Sequence, residues 1–150
     1  MRIVIQRVKR AGVTIDSELH SAIGQGLMVL VGVARDDTED DARWLAAKTV
    51  ALRIFDDDKG VMNINVVDAG GEVLSVSQFT LHASTRKGNR PSYIHAAGHE
   101  LAVPLYECYC REVEALLGRE VKTGVFGANR AVELVNDGPV TIVIDSRLRE

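Results

Sequence analysis

The feature that most constrains the fold is an almost uninterrupted apolar run, Leu27 to Ala34, which follows a break at Gly24-Gln25-Gly26. A strand with one solvated face alternates apolar and polar residues, whereas an apolar run without alternation is typical of a strand covered on both faces. We therefore predict that this run is a central strand of a sheet. A chain of 150 residues that is 46% hydrophobic can bury such a sheet in a single domain, residues 1–150.

The rest of the chain predicts further strands and two helices. A capping box formed by Thr38 and Asp41 starts a helix that should run to about Arg53, and Gly98 to Leu117 has the pattern of a second helix. Because the order is strands, helix, strands, helix, strands, the α+β class is predicted. The strand-like segments are Arg2 to Lys9, Gly12 to Ile15, Leu19 to Ile23, Val61 to Val67, Glu72 to Phe79, Val121 to Phe126, Ala131 to Val135 and Val140 to Asp145.

A polar segment, Ser77-Gln78-Phe79-Thr80-Leu81, lies at the end of one predicted strand. Alternation along that strand should place Val73 and Ser75 on one face, and Leu74 and Val76 on the other. The glutamine amide both donates and accepts hydrogen bonds, and a hydroxyl does either. These side chains are therefore suited to orient a polar ligand, and the alternative interpretation is a structural cap at the strand end.

A second unusual segment, Asn136-Asp137-Gly138-Pro139-Val140-Thr141, separates two apolar runs. Asn, Asp, Gly and Pro are the usual turn residues, so local rules favour a hairpin turn here. Proline lacks a backbone donor, glycine permits unusual backbone shapes, and X-Pro bonds are where cis peptides occur. An edge, a bulge or a rigid backbone wall is therefore the alternative.

Composition and charge narrow the functional classes. The net charge of −3 and the pI of about 5.8 provide no global basic field, so contact with RNA would have to be local. The best local candidate is the cluster of Arg86, Lys87 and Arg90, for which a solvated charge run is the alternative. No stretch approaches the roughly 18 apolar residues of a membrane span, so we expect a cytoplasmic protein without a membrane partner.

Side-chain nucleophiles and metals are not favoured by the sequence. Ser77 lacks the flanking glycines of a nucleophile elbow, and Thr80 has no evident base beyond an unplaced His82. The four histidines lack metal-ligand spacing, since the pair His95 and His99 has no obvious third ligand. We therefore expect neither a metal nor another cofactor. Ester hydrolysis by an oriented water, with backbone amides stabilising the developing negative charge, is the better physical hypothesis.

Together, the two unusual segments resemble the pair that defines the D-aminoacyl-tRNA deacylase family. The resemblance extends over nearly the whole chain and implies a largely antiparallel, barrel-like sheet with two outer helices, assembled as a homodimer. It also implies that the substrate is aminoacylated tRNA. Five further segments match in the family's order: Met1 to Val8, Gly26 to Ala34, Leu52 to Phe55, Thr85 to Ser92 and Thr123 to Ala128.

The resemblance also implies roles for particular residues. The segment from Ser77 to Thr80, with Gln78 and Phe79, would form the catalytic site, where the 2′-hydroxyl of the terminal adenosine assists hydrolysis. Gly138 and Pro139 would reject L-amino acids across the dimer interface as a chiral gate, with Arg7 fixing them. Glycine, which has no side chain to reject, would also be accepted, as on glycyl-tRNA mischarged on tRNA-Ala. Arg86, Lys87 and Arg90 would bind tRNA.

The chain departs from the family pattern at Asn129-Arg130, where the resemblance predicts an acidic residue and then a methionine that shapes the adenosine site. It also departs at Ala97-Gly98-His99, where the resemblance predicts a proline-rich entry to the helix. Two other functions remain open from the sequence. One is a non-catalytic nucleic-acid-binding module on the same fold, and the other is an esterase for small molecules.

Overall fold

The computed structural model describes residues 1–150. Two helices, α1 (Glu39–Ala51) and α2 (His99–Leu117), accompany eight strands, and a short 3-10 helix spans Phe79–His82. The strands are β1 (Arg2–Ile15), β2 (Glu18–Ile23), β3 (Gly26–Gly32), β4 (Phe55–Asp56), β5 (Met62–Ile64), β6 (Glu72–Ser77), β7 (Lys122–Thr123) and β8 (Arg130–Asp145).

Strand β1 organises the main sheet because it pairs with three other strands. Its whole length pairs antiparallel with β8, while its other edge pairs with β3 over the first half and with β2 over the second half. Strands β3 and β6 pair parallel, as do β6 and β7. The predicted barrel-like sheet with two helices is confirmed, although the sheet is mixed: antiparallel around β1 and parallel around β6.

The ends of the sheet approach each other and nearly close a barrel. The strand order β2-β1-β3-β6-β7 would leave β2 and β7 at opposite edges. Instead, the Ser21 hydroxyl on β2 donates to the Thr123 carbonyl on β7 at 2.8 Å. This closure wraps β1 and its neighbours around a small apolar interior.

Two apolar clusters cover the two faces of the sheet. The larger cluster lies between the sheet and the helices and includes Val73, while the smaller one includes Leu74 and Val76. The predicted alternation along β6 is therefore confirmed, and both of its faces are buried. Strand β3 lies between β1 and β6 and is buried along nearly all its length, as the apolar run predicted.

Helix α1 begins as the sequence predicts, with Thr38 as N-cap and Asp41 completing the capping box. It ends at Ala51, slightly before the predicted boundary. Helix α2 tolerates Pro104 within its second turn and packs on α1, where the hydroxyls of Tyr109 and Thr49 lie 2.9 Å apart in the core. Neither helix combines the length and the apolar character needed to cross a bilayer.

The hairpin predicted at Asn136 to Pro139 is wrong. Strand β8 continues from Arg130 through Asp145 without reversing, and the pairing register shifts opposite this segment, between Gln6 and Arg10 of β1. The Asn136 carboxamide oxygen accepts a hydrogen bond from the Val140 amide at 3.3 Å. That side-chain contact satisfies a donor which the irregular ladder leaves without a strand partner, so the segment is a bulge inside a strand.

Candidate functional site

A cavity of about 530 Å³ opens where β6 ends and α2 begins. Most of its wall is apolar, and a few polar groups converge on it from Ser77, Gln78, His99, Tyr106 and Arg130. Phe126 forms part of the wall and packs edge-on against the His99 ring, with 5.3 Å between ring centroids. An apolar cavity with a small number of placed polar groups is the usual form of a small-ligand site.

The chain changes from strand to 3-10 helix at the cavity wall. Ser77 is 6% exposed and ends β6, and the Gln78 amide still donates to Val31 of β3 at 2.7 Å. The first bond of the 3-10 helix then runs from the Leu81 amide to the Gln78 carbonyl. Because the amides of Phe79 and Thr80 precede that bond, they have no acceptor within the helix. The segment thus has two consecutive backbone amides without a helical acceptor, and the first of them belongs to Phe79, which lines the cavity.

The hydroxyl groups of this segment are already engaged. The Thr80 hydroxyl accepts a hydrogen bond from the Gln78 carboxamide, and the Ser77 hydroxyl accepts one from Arg130 at 3.0 Å. His82, the base considered from the sequence, instead places its ring Nε2 3.0 Å from the Gly32 carbonyl. Burial lowers the pKa of His82. The geometry therefore contains no Ser-His or Thr-His pair of the kind that activates a nucleophile.

Arg130 joins two strands that are not neighbours in the sheet. Its Nη2 donates to the Ser77 carbonyl at 2.7 Å, its Nη1 donates to the Ser77 hydroxyl, and a longer contact of 3.5 Å reaches the Val125 carbonyl. Burial lowers the pKa of Arg130. The start of β8 is thereby fastened to the end of β6 at the cavity.

Arg7 holds the Gly138–Pro139 segment from behind. It is 7% exposed, and it donates from Nε to the Asp137 carbonyl at 3.0 Å and from Nη1 to the Ile54 carbonyl at 2.7 Å. Gly138 has φ of +127°, a shape that side chains disfavour, and a Cβ there would lie 3.0 Å from Arg7 Nη2. The peptide bond between Gly138 and Pro139 is cis.

The structure does not bring Gly138 and Pro139 to the cavity of their own chain. Both residues are exposed, and neither lines the cavity. Ser77 aligns with Val31 of β3, which aligns with Ile3 of β1, whereas Gly138 lies beyond β1 and beside Arg7. The sequence-predicted catalytic segment and chiral gate are thus separate surfaces of one chain.

The predicted RNA-binding cations lie on the loop that follows the 3-10 helix. Arg86, Lys87 and Arg90 are exposed at its tip, and backbone hydrogen bonds of 2.8 and 2.9 Å between Ser84 and Ser92 close its base. Tyr93, which follows the loop, packs edge-on against Phe79 of the cavity wall, with 5.1 Å between the ring centroids. No hydrogen bond or ion pair forms from the three cationic side chains, so their charges face solvent.

Three polar side chains of the cavity were not assigned to the catalytic site by sequence reasoning: His99, Tyr106 and Arg130. Tyr106 donates to the Ser75 carbonyl at 2.9 Å, and burial raises the pKa of its hydroxyl. Arg130 and His99 each lie at a departure from the family pattern, and no such signal existed for Tyr106. No group of three or more His, Cys, Asp or Glu side chains with metal-binding geometry occurs, and Cys108 and Cys110 are free thiols.

Comparisons with known proteins agree with this architecture. A family model described as D-Tyr-tRNA(Tyr) deacylase matches residues 4–145. A protein from Parabacteroides distasonis named D-aminoacyl-tRNA deacylase is 59% identical, and one of the same name from Bacteroides thetaiotaomicron is 56% identical. Each alignment spans 150 residues and covers 100% of both chains.

Two solved structures share the fold. A protein named c-Myc DNA Unwinding Element Binding Protein has a TM-score of 0.92 and 39% identity, covering 97% of this chain and 98% of that chain. A probable eukaryotic D-amino acid tRNA deacylase has a TM-score of 0.82 and 16% identity, covering 95% and 97%, and resembles this chain in fold alone. With a family model matched from residue 4 to residue 145 and relatives aligned end to end, the chain belongs to the D-aminoacyl-tRNA deacylase family.

Proposed function

We propose that this protein hydrolyses the ester bond of D-aminoacyl-tRNA and releases the D-amino acid from the 3′ end. The observation that carries the proposal is the cavity at the end of β6, where two consecutive backbone amides have no helical acceptor, in a chain that aligns end to end with relatives named for this activity. Because its substrate is tRNA, the protein acts in the cytoplasm.

The chemistry proceeds without a side-chain nucleophile. A water molecule attacks the ester carbonyl, and the amides of Phe79 and Thr80 donate to the oxygen on which negative charge develops. The bond from the acyl carbon to the ribose 3′-oxygen then breaks, and that oxygen leaves as a hydroxyl with a proton that the water gave up. Ser77 and Gln78 set the position of these amides, since the Gln78 carboxamide holds the Thr80 hydroxyl and Arg130 holds Ser77. The 2′-hydroxyl of the terminal adenosine assists, as the family resemblance implies. No metal or cofactor takes part in any step.

Chirality is selected by exclusion, and a second copy of the chain supplies the gate. Gly138 and Pro139 are exposed and remote from their own cavity, so they reach a cavity only across a homodimer interface. The outer edge of β8 has no strand partner, and Val143 on this strand is 63% exposed, which suits a symmetric interface. Arg7 keeps the gate rigid from within its own chain.

A gate that works by exclusion has a predictable leak. An L side chain would collide with backbone oxygens of Gly138 and Pro139, whereas a D side chain points away from them. Glycine presents no side chain to reject, so tRNA-Ala that is mischarged with glycine is a second substrate.

Local cations compensate for the acidic charge of the whole chain when tRNA binds. Arg86, Lys87 and Arg90 have no internal partners and lie on the loop that borders the cavity through Tyr93 and Phe79. Contacts from such side chains to phosphates position a nucleic acid without reading its bases.

A non-catalytic nucleic-acid-binding module is the second candidate, since a relative of 39% identity is named for binding a DNA unwinding element. The two functions differ in one assay, in which the pure protein is incubated with D-tyrosyl-tRNA and L-tyrosyl-tRNA in the presence of a chelator. The proposal predicts release of D-tyrosine alone. Binding of both RNAs without release would instead favour the module, and turnover of simple esters without RNA would indicate a small-molecule esterase.

A further inference from the structure

Arg130 carries a positive charge into the cavity wall without a matching negative charge. No Asp or Glu lines the cavity, and Arg130 forms no ion pair with any carboxylate of the chain. A partly buried cation that lacks an anion is costly, and an anionic ligand removes that cost. The positive charge at this position also departs from the family pattern, because the family resemblance predicts an uncharged methionine here.

The guanidinium is held in place with donors to spare. Of its five N–H groups, three point to the hydroxyl and carbonyl of Ser77 and to the Val125 carbonyl. The Nε–H and one N–H of Nη2 therefore remain for a ligand. Because Ser77 fixes the plane of the group, little ordering is required when an anion binds.

The neighbouring backbone makes room for this side chain. A Cβ placed on Gly124 would lie 3.1 Å from Arg130 Cδ, closer than ordinary side-chain contacts. The absent side chain at Gly124 thus leaves room for the arginine stem on its way to the cavity wall. Arg130 occupies this route into the site, whereas an arginine on an open strand face would extend into solvent.

We propose that Arg130 is a substrate-contacting residue whose guanidinium, held on Ser77, binds an anionic oxygen of the aminoacyl-RNA inside the cavity. This inference rests on the proposed function for the identity of the RNA. The anionic oxygen has two sources in that substrate. One is the phosphodiester next to the terminal adenosine, and the other is the carbonyl oxygen of the ester, which becomes negative when water attacks. Both are bound by the same fork of N–H donors.

The first test is a binding measurement that needs no turnover. Calorimetry compares adenosine 5′-monophosphate with adenosine for the wild type, Arg130→Met, Arg130→Lys and Arg119→Met. Methionine matches the length of the arginine stem without its charge. Arg119 is exposed beyond the far end of α2, roughly 20 Å along the helix from Tyr106 of the cavity wall, so Arg119→Met controls for the lost charge.

The second test is kinetic and compares D-tyrosyl-tRNA with D-tyrosyl-adenosine, which has no phosphate.

The two tests together distinguish the two sources of the anionic oxygen. If the phosphodiester is bound, Arg130→Met removes a preference of about 10- to 100-fold for the monophosphate in the first test and raises KM for the tRNA only in the second test. It also reduces the slope of log affinity against log salt by about 0.7 to 0.9. If the ester oxygen is bound, kcat falls equally on both substrates while the monophosphate preference is unchanged, and the fall exceeds that of Ser77→Ala, which loosens the same contact without removing the cation. An equal fall in the two variants would mean that Arg130 only positions Ser77. Arg130→Lys should retain part of either effect.

The proposal is overturned if Arg130→Met equals the wild type in monophosphate preference and in both kinetic comparisons, or if it only lowers Tm. Should the methionine variant fail to fold, Arg130→Gln provides the same uncharged comparison. A wild type that binds the monophosphate through Arg130 but releases no D-tyrosine would refute the proposed function and retain the anion site. The two failures are therefore distinguishable.

Discussion

Two segments of this molecule interrupt strands in opposite ways. At Ser77 to His82 the strand ends, turns into a 3-10 helix and lines a cavity within its own chain. At Asn136 to Thr141 the strand continues through a bulge, and the irregular residues Gly138 and Pro139 are exposed. One chain therefore builds the cavity wall by itself, while the bulge that we propose as the chiral gate lies on a separate, exposed surface.

The two segments also differ in where the arginine that supports each of them lies. Arg130 donates hydrogen bonds to Ser77 from the cavity side, and its own side chain lines the cavity. The Gly138 segment is supported from the protein interior by Arg7, which is buried and donates its hydrogen bonds to backbone carbonyls. The first arrangement leaves polar groups available to a ligand, and the second makes a rigid outer surface.

The largest effect is expected where the cavity amides are removed. Phe79→Pro deletes the Phe79 N–H, and proline is tolerated at the first position of a helix when the residue before it is non-helical, as is Gln78 with φ of −149° and ψ of 89°. Loss of one such donor should lower kcat on D-tyrosyl-tRNA by about 10²- to 10³-fold. Phe79→Ala, which keeps the amide, is the matched control, and equal losses in both variants would refute the amide mechanism.

A smaller effect, on selectivity, is expected at the bulge. Gly138→Ala forces a side chain into a positive φ and against Arg7 and Val140, which should destabilise the fold by about 1–3 kcal/mol. If Gly138 belongs to a gate that acts by exclusion, as we propose, hydrolysis of L-tyrosyl-tRNA should rise relative to D by roughly tenfold. Thermal unfolding and paired deacylation assays measure the two effects.

The control for this variant is Gly24→Ala, because Gly24 has no atom within 4 Å of an added Cβ and should change neither quantity. An unaltered ratio of L to D hydrolysis in a folded Gly138→Ala protein would remove Gly138 from the chiral gate.

The smallest effect is expected at the cationic loop, which lies outside both segments. Replacing Arg86, Lys87 and Arg90 by Gln should raise KM for tRNA a few-fold and leave kcat unchanged, because exposed phosphate contacts position the substrate without touching the ester. Each lost contact should reduce the salt slope by about 0.7 to 0.9. A salt dependence equal to that of the wild type would show that RNA binds elsewhere.

Periodicity was sufficient to predict what depends on local pattern. The apolar run at Leu27 to Ala34 identified the central strand, alternation identified the two faces of β6, and Thr38 with Asp41 identified the start of α1. These features are determined by neighbours within a few residues along the chain. The sequence therefore carries them directly.

Features set by distant contacts were not predictable in the same way. Turn rules failed at Asn136 to Pro139 because β1, 130 residues away in sequence, pairs along β8 and supplies Arg7 behind the bulge. The contact of Arg130 with Ser77 joins strands 53 residues apart in sequence, and no local pattern encodes it. The family resemblance indicated both positions, but only the three-dimensional packing shows what they contact.

The central claim is that the chiral gate serves the cavity of the other protomer, and mixing two variants tests it directly. Phe79→Pro has a disabled cavity and an intact gate, whereas Gly138→Ala has an intact cavity and a defective gate. They are refolded together with a fivefold excess of Phe79→Pro, and the ratio of L- to D-tyrosyl-tRNA hydrolysis is measured. With random pairing, about one in six active cavities then keeps a defective partner, so a ratio that is roughly tenfold raised in Gly138→Ala alone should fall roughly fourfold in the mixture. A ratio equal to that of Gly138→Ala alone would contradict the account.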